Sequence, residues 1–262
     1  MRVDAFVVVV PGLEPLVLDE VVRLGVRPAR IVRGGIACTV TWPQLWSMHL
    51  RLRMATRVLV RVARFRADGP GTLTAGLRRI DWNQWLPEGG VDVRATVEAA
   101  PGLTHSGIVV ERTAAVIGRA AGTQIVQVRV VGDDVTVSLD ATGEPLHRRS
   151  WRSGGGAAPL RPTLAAALVV SSGWDRRRPL VDPFCGAGTV AIEAAMLARR
   201  IAPGRHRTFA CAMWPSFDAE RWTRLVAGAD GDVVERGPLL MASDRDAGAV
   251  DTTRAAATSA GV

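Results

Sequence analysis

Asp182-Pro183-Phe184-Cys185-Gly186-Ala187-Gly188-Thr189 joins a short apolar segment, Pro179 to Val181, to the amphipathic run Val190 to Arg200. The order reads as strand, glycine loop and helix. Two glycines one residue apart let backbone pass against a ligand with no Cβ in the way. The first amides of the following helix have no partner inside it and attract a carboxylate or phosphate. The stretch therefore predicts an α/β domain that holds a small polar ligand where a strand hands over to a helix.

Gly186-x-Gly188-x-x-Ala191 also satisfies the loose dinucleotide pattern, so the glycines alone leave a nicotinamide cofactor and S-adenosylmethionine both open. In a dinucleotide site the strand runs almost directly into the first glycine, and an acid for the ribose follows about 20 residues later. Here Asp182 and Pro183 intervene, and the later stretch reads Arg205-His206-Arg207. The next acid that ends an apolar strand is Asp244, after Leu239-Leu240-Met241-Ala242-Ser243, where a carboxylate can accept both ribose hydroxyls.

A length of 262 residues fits about two domains, and 48% hydrophobic content supplies packed cores. No apolar run reaches the roughly 18 residues of a membrane span. Val7 to Val10 is too short for a signal-peptide core and is flanked by Asp4 and Glu14, so the chain reads as cytoplasmic with no membrane partner. Three scattered cysteines form no disulfide framework, and neither they nor the four histidines have metal-ligand spacing, so no metal is expected. Cys185 has no nearby histidine or base, and the glycine loop explains its position better than nucleophilic catalysis does. The net charge is +8, with every basic residue an arginine. That sign favours polyanionic partners, through phosphate contacts and counterion release.

Along the chain, Val3 to Val10 reads as a strand, 13–24 as a helix, Ile31 to Val40 as a strand pair around Gly34-Gly35, 43–54 as a helix and Arg57 to Phe65 as a strand. A helix over 71–85, a strand over 91–99, a helix over 107–121 and a hairpin of 126–131 with 135–139 follow. Gly154-Gly155-Gly156 marks a linker.

Asp182 to Thr189 resembles motif I of class I S-adenosylmethionine-dependent methyltransferases, in the form carried by THUMP-domain RNA guanine-N2 methyltransferases. Val135 to Asp140 followed by Gly143 to Arg152 is similar to the end of a THUMP domain, and Ala158 to Trp174 to the helix leading into the methyltransferase domain. Ile201-Ala202-Pro203-Gly204 with Trp214, Asp218 and Trp222 resembles an insertion of the bacterial large-subunit rRNA members. The match is collinear over nearly the whole chain. It implies an α+β N-terminal region, with a ferredoxin-like lead-in over 1–60 and a THUMP RNA-binding domain over 61–149. A linker over 150–162 and the first part of an α/β Rossmann-like methyltransferase domain over 163–262 follow.

The implied function is transfer of a methyl group from S-adenosylmethionine to an exocyclic guanine amine (N2) of structured RNA, with 23S rRNA favoured over tRNA. Asp182, Phe184, Cys185, Gly186, Ala187, Gly188 and Thr189 would line the cofactor, Asp182 taking the methionine amino group and Thr189 capping the helix. Asp244 would hold the ribose, and Asp246 would cap the helix Ala247 to Ala260. Arg148, Arg149, Arg152 and Arg161 cluster beside the linker as RNA phosphate contacts. Arginines 51, 53, 57, 61, 64 and 66 fall in an acid-free stretch that reads equally as an RNA contact and as a solvated face. Trp82, Trp85, Trp151 and Trp174 read as packing residues.

The sequence departs from the family in having no Asn/Asp-Pro-Pro-aromatic loop to grip the target amine, and in Pro162, where relatives carry a polar residue. No catalytic residue is assigned. The expectation is a C-terminal fragment boundary at Val262, with the chain inactive alone. Rival readings are an adenine-N6 or tRNA methyltransferase of the same superfamily, a truncated non-catalytic RNA-binding protein, and a nicotinamide oxidoreductase.

Overall fold

The computed structural model describes residues 2–87, 89–118, 122–152 and 160–262. The glycine tract expected as a linker lies outside the described residues. Strands β1 (Arg2–Val8), β2 (Ala29–Val32), β3 (Gly35–Thr41) and β4 (Arg57–Arg66) alternate with helices α1 (Glu14–Arg23) and α2 (Trp42–Arg51) in a ferredoxin-like N-terminal unit. Alternation builds β1: Val3, Ala5 and Val7 are buried while Arg2 and Asp4 are exposed. A capping box between Thr41 and Gln44, with Pro43 in the first turn, starts α2. That helix ends at Arg51, short of the expected 54, because the Glu20 carboxylate takes the amides of Arg53 and Met54 at 3.1 Å.

Helices α3 (Pro70–Arg78) and α4 (Trp82–Trp85), strand β5 (Val91–Glu98), helix α5 (Ser106–Ile117) and strands β6 (Gln124–Val131) and β7 (Asp134–Asp140) come next. The single helix expected over 71–85 is broken, since the Trp82 indole donates to the Leu77 carbonyl at 3.1 Å and closes the first helix there. Helix α5 stops at a left-handed Gly118, four residues or so before the expected end.

All seven strands form one sheet in the order β2-β3-β1-β4-β7-β6-β5, antiparallel except for β5 with β6. β4 is shared, pairing with β1 on one side and β7 on the other, so it crosses residues 60 and 61 without a break. One continuous apolar core lies beneath the sheet, from Val3 and Val21 to Leu73, Val109 and Val137.

The C-terminal part is α/β: α6 (Pro162–Ser171), β8 (Leu180–Asp182), α7 (Thr189–Ala198), α8 (Ala219–Gly231), β9 (Leu240–Ala242) and α9 (Ala247–Ala260). β8 and β9 are parallel neighbours, with Asp182 opposite Ala242. The segment before α8 packs on the N-terminal unit. Phe209, Cys211 and Trp214 join the main core, and the Trp214 indole donates to Gln124 Oε1 at 2.7 Å. Among the described residues, no helix is long and apolar enough to cross a membrane.

Candidate cofactor site and domain junction

Two parallel strands end side by side, and their carboxylates bracket the glycine loop. The Ser243 amide bonds the Asp182 carbonyl and the Cys185 amide bonds the Ser243 carbonyl, both at 2.9 Å, which stitches the two strand exits together. Asp182 Oδ1 accepts the Phe184 amide at 3.3 Å. Asp244 Oδ2 accepts the Gly186 amide at 2.9 Å, and Oδ1 accepts the Asp246 amide at 3.1 Å. The amides of Asp246 and Gly186 hold the Asp244 carboxyl below its ordinary range, so it is an anion with lone pairs facing solvent.

The two glycines do different work. Gly186 sits at φ +52, and a Cβ there would meet nothing within 4 Å, so this side of the loop is open space. Gly188 sits at φ +72, and a Cβ would lie 2.5 Å from Thr253 Cγ2 on α9. Its missing side chain admits a neighbouring helix, which corrects the expectation that both glycines clear space for the ligand. Thr253 Oγ1 also donates to the Gly186 carbonyl at 2.9 Å and fixes the loop from behind.

Thr189 is a second correction: it is the first helical residue, Gly188 is the N-cap, and no side chain caps α7. The first-turn amides therefore stay open toward the loop, as an anionic group requires. Asp246 does cap α9, accepting the Gly248 amide. Phe184 stands 87% exposed at the loop tip, Ala187 is half-buried, and the buried Cys185 thiol lies 3.7 Å from Thr253 Oγ1. An anionic acceptor, open helix amides and a side-chain-free approach make a donor and acceptor set that fits S-adenosylmethionine.

At the junction the four clustered arginines part company. Arg148 and Arg161 are exposed and Arg152 is half-buried. Burial, then the positive charge of Arg161, Arg148, Arg149 and Arg152, holds the His147 pKa below its ordinary range. Arg149, however, is 4% exposed. Its guanidinium meets Glu193 at 2.8 and 3.4 Å and the carbonyls of Leu146 and Arg53 at 2.8 Å. With all three nitrogens hydrogen-bonded inside the protein, Arg149 is a structural residue, and its expected place among the phosphate contacts is corrected.

Glu193 belongs to a buried network that sequence reading missed. Arg53, buried itself, approaches Glu193 at 3.6 Å and donates to the carbonyls of Met196 and Ile201. Burial pushes the nearby Glu20 carboxyl up to about 7, against the pull of the Met54 and Arg53 amides and the Arg53 charge. The available signal was a lone glutamate inside Thr-Val-Ala-Ile-Glu-Ala-Ala-Met-Leu-Ala, a helix otherwise apolar on most sides. The acid-free arginine stretch divides here as well: Arg51, Arg53 and Arg57 pair with Asp232, Glu193 and Asp140. Among the described residues, no group of acids, histidines and cysteines could hold a metal ion.

Residues 149–262 match the RMKL-like methyltransferase domain model (UPF0020), and residues 4–59 match the RlmL ferredoxin-like domain. The “Putative RNA methyltransferase YpsC” of Bacillus subtilis (strain 168) is 32% identical, covering 96% of this chain and 69% of that protein. “Ribosomal RNA large subunit methyltransferase K/L” of Methylococcus capsulatus is 32% identical over 87% of this chain, which spans 34% of that protein. Among solved structures, “a predicted N6-adenine-specific DNA methylase from Listeria monocytogenes” superposes with a TM-score of 0.90 at 28% identity, covering 100% of this chain and 72% of that one. “SMU.472, a putative methyltransferase complexed with SAH” gives 0.90 at 27% identity, covering 99% and 73%.

Proposed function

The chain belongs to the RMKL-like family of S-adenosylmethionine-dependent RNA methyltransferases, and from that premise we propose that it supplies the cofactor and RNA grips of an enzyme methylating guanine N2 in large-subunit rRNA. The observation that carries this reading is the pair of carboxylates, Asp182 and Asp244, at adjacent parallel strand ends around Gly186. Asp244 accepts the ribose hydroxyls, Asp182 takes the methionine ammonium, and the open amides of α7 meet the methionine carboxylate. The bound cofactor supplies an electrophilic methyl group on its sulfonium. Residues 61–149 act as a THUMP RNA-binding domain, and Arg148, Arg152 and Arg161 contact RNA phosphates.

Large-subunit rRNA is supported by the names of the K/L relatives and by the folded segment from Ile201 to Trp222 that joins the two parts. Adenine N6 is the second reading, the activity ascribed to the Listeria protein. One face of the β8–β9 pair carries Val181 at 60% and Met241 at 56% exposure, an apolar surface suited to packing against another element. Calorimetric titration of the chain with S-adenosylhomocysteine tests the proposal. The expected result is saturable binding, weakened about tenfold or more by Asp244→Ala. RNA affinity without any such binding would favour the non-catalytic RNA-binding reading instead.

A further inference from the structure

The core face of the seven-stranded sheet is closed by helices, while its opposite face lines an open trough of about 1040 Å³. A bulge in β4 decides what that face carries. In an unbroken strand Arg61 and Arg64, three residues apart, would point to opposite faces. The register of β4 against β7 shifts between Arg61 and Ala63, so both arginines, and Arg66 after them, come to the open face.

The pairing registers then give two rows across four strands. Arg61 lies opposite Ser138, which lies opposite Gln127, which lies opposite Arg94. Beside it run Arg64, Thr136, Arg129 and Thr96. Every member is a hydrogen-bonding group and none is apolar. Glu98 neutralises Arg33 and Arg129, and Asp92 pairs with Arg94. Arg61 and Arg64, by contrast, have no ion-pair partner among the described residues, and Arg61 lies 4.6 Å over the Phe6 ring.

We infer that this open face binds a single-stranded segment of the RNA, with Arg61 and Arg64 on phosphates and the intervening hydroxyl and amide side chains on sugars and base edges. The inference rests on the RNA reading above and adds a second grip, whose lining includes none of the junction arginines. Two unpaired cations aligned by a bulge match a polyanion. The trough also takes in Phe6 of β1, and the unpaired bases of a single strand, unlike those of a duplex, can stack on such a ring.

The test measures anisotropy of a fluorescein-labelled single-stranded RNA oligonucleotide titrated with the full chain across a salt series. Arg61→Gln/Arg64→Gln should raise Kd about tenfold or more and lower the slope of log affinity against log salt by about 1.4, at about 0.7 per lost phosphate. The exposed Arg64→Gln alone should lower that slope by about half as much. Arg78→Gln/Arg79→Gln, at the end of α3, should change neither quantity. Unchanged binding by a double variant that melts like the parent would overturn the inference. If Arg148→Gln/Arg161→Gln then abolished binding, the RNA-enzyme reading would stand without it. A parent chain with no RNA affinity would overturn both, and S-adenosylhomocysteine titration would show whether the cofactor half survives. Equal competition by an RNA duplex would overturn the single-strand assignment.

Discussion

Replacing Arg149 by alanine separates a structural arginine from an RNA-contacting one, and the two roles differ in magnitude. Side-chain exposure is 1% for Arg149 and 0% for Glu193, and their contact is two-pronged. Removing one partner of such a buried pair leaves an uncompensated charge and costs about 3–5 kcal/mol. Arg53 at 3.6 Å offsets part of this, while the carbonyls of Leu146 and Arg53 lose a donor at about 1 kcal/mol or more each, so a net loss of about 4 kcal/mol is expected. With a urea slope of about 3 kcal/mol per molar, the midpoint falls by more than ~1 M. Arg148 is the control: its contact with Glu144 is 3.8 Å long, both side chains are more than 70% exposed, and alanine there should cost about 0.5 kcal/mol at most. Urea denaturation followed by tryptophan fluorescence reads both variants. If Arg149→Ala unfolds with the midpoint of Arg148→Ala and instead loses RNA affinity, the buried-network argument is wrong.

The two motif glycines should separate in the same way. Gly188→Ala drives a Cβ to 2.5 Å from Thr253 at φ +72, and overpacking plus the left-handed backbone should cost about 2–4 kcal/mol by thermal unfolding. Gly186→Ala meets nothing and should cost about 1 kcal/mol, yet it should weaken S-adenosylhomocysteine binding in calorimetry. The reverse ranking would show that the ligand approaches from the other side of the loop. Asp244→Asn should retain the fold but lose cofactor affinity, since one carboxylate oxygen becomes a donor facing the amide it now accepts. Glu20 gives a pH signature: with its carboxyl raised to about 7 from 4.5, the folded state keeps a proton that the unfolded chain has released. Its contribution is present below about pH 4.5 and lost as pH rises through about 7, by at most about 1.4 kcal/mol per pH unit. Glu20→Gln should flatten stability over that window, and an unchanged slope would place the titration elsewhere.

Much of this architecture is legible in the sequence because it is local. Alternation in Arg-Val-Asp-Ala-Phe-Val-Val marks β1, and the paired glycines at 34 and 35 mark the turn between β2 and β3. The glycine loop between β8 and α7 and the acid closing β9 also stand where reading placed them. What escaped is set by partners distant in sequence. Nothing near Arg149 announces Glu193, 44 residues on, and nothing near Gly188 announces Thr253. The break after α3 depends on an indole reaching back to a carbonyl, and the end of α2 on a carboxylate from α1. The arginine stretch was ambiguous for the same reason, since a single bulge sorts Arg61 and Arg64 from their neighbours.

These long-range partners connect the two sites. Glu193 lies four residues beyond Thr189, about one turn along the helix that the cofactor loop feeds. Arg149 holds that glutamate from the end of the N-terminal region, and Arg53 approaches it from the segment entering β4. β4 in turn carries Arg61 and Arg64 on the open face of the sheet. One chain of buried ion pairs and one shared strand therefore link the glycine loop to the open face of the sheet. The folded segment through Phe209 and Trp214 adds a second weld between the same two parts. Buried charges of this kind contribute little net stability against apolar replacements, yet removing one partner leaves an uncompensated charge between the parts they join. Under the proposed function, a base gripped by the N-terminal region is brought to a methyl group held at the glycine loop, and these pairs lie on the path between the two.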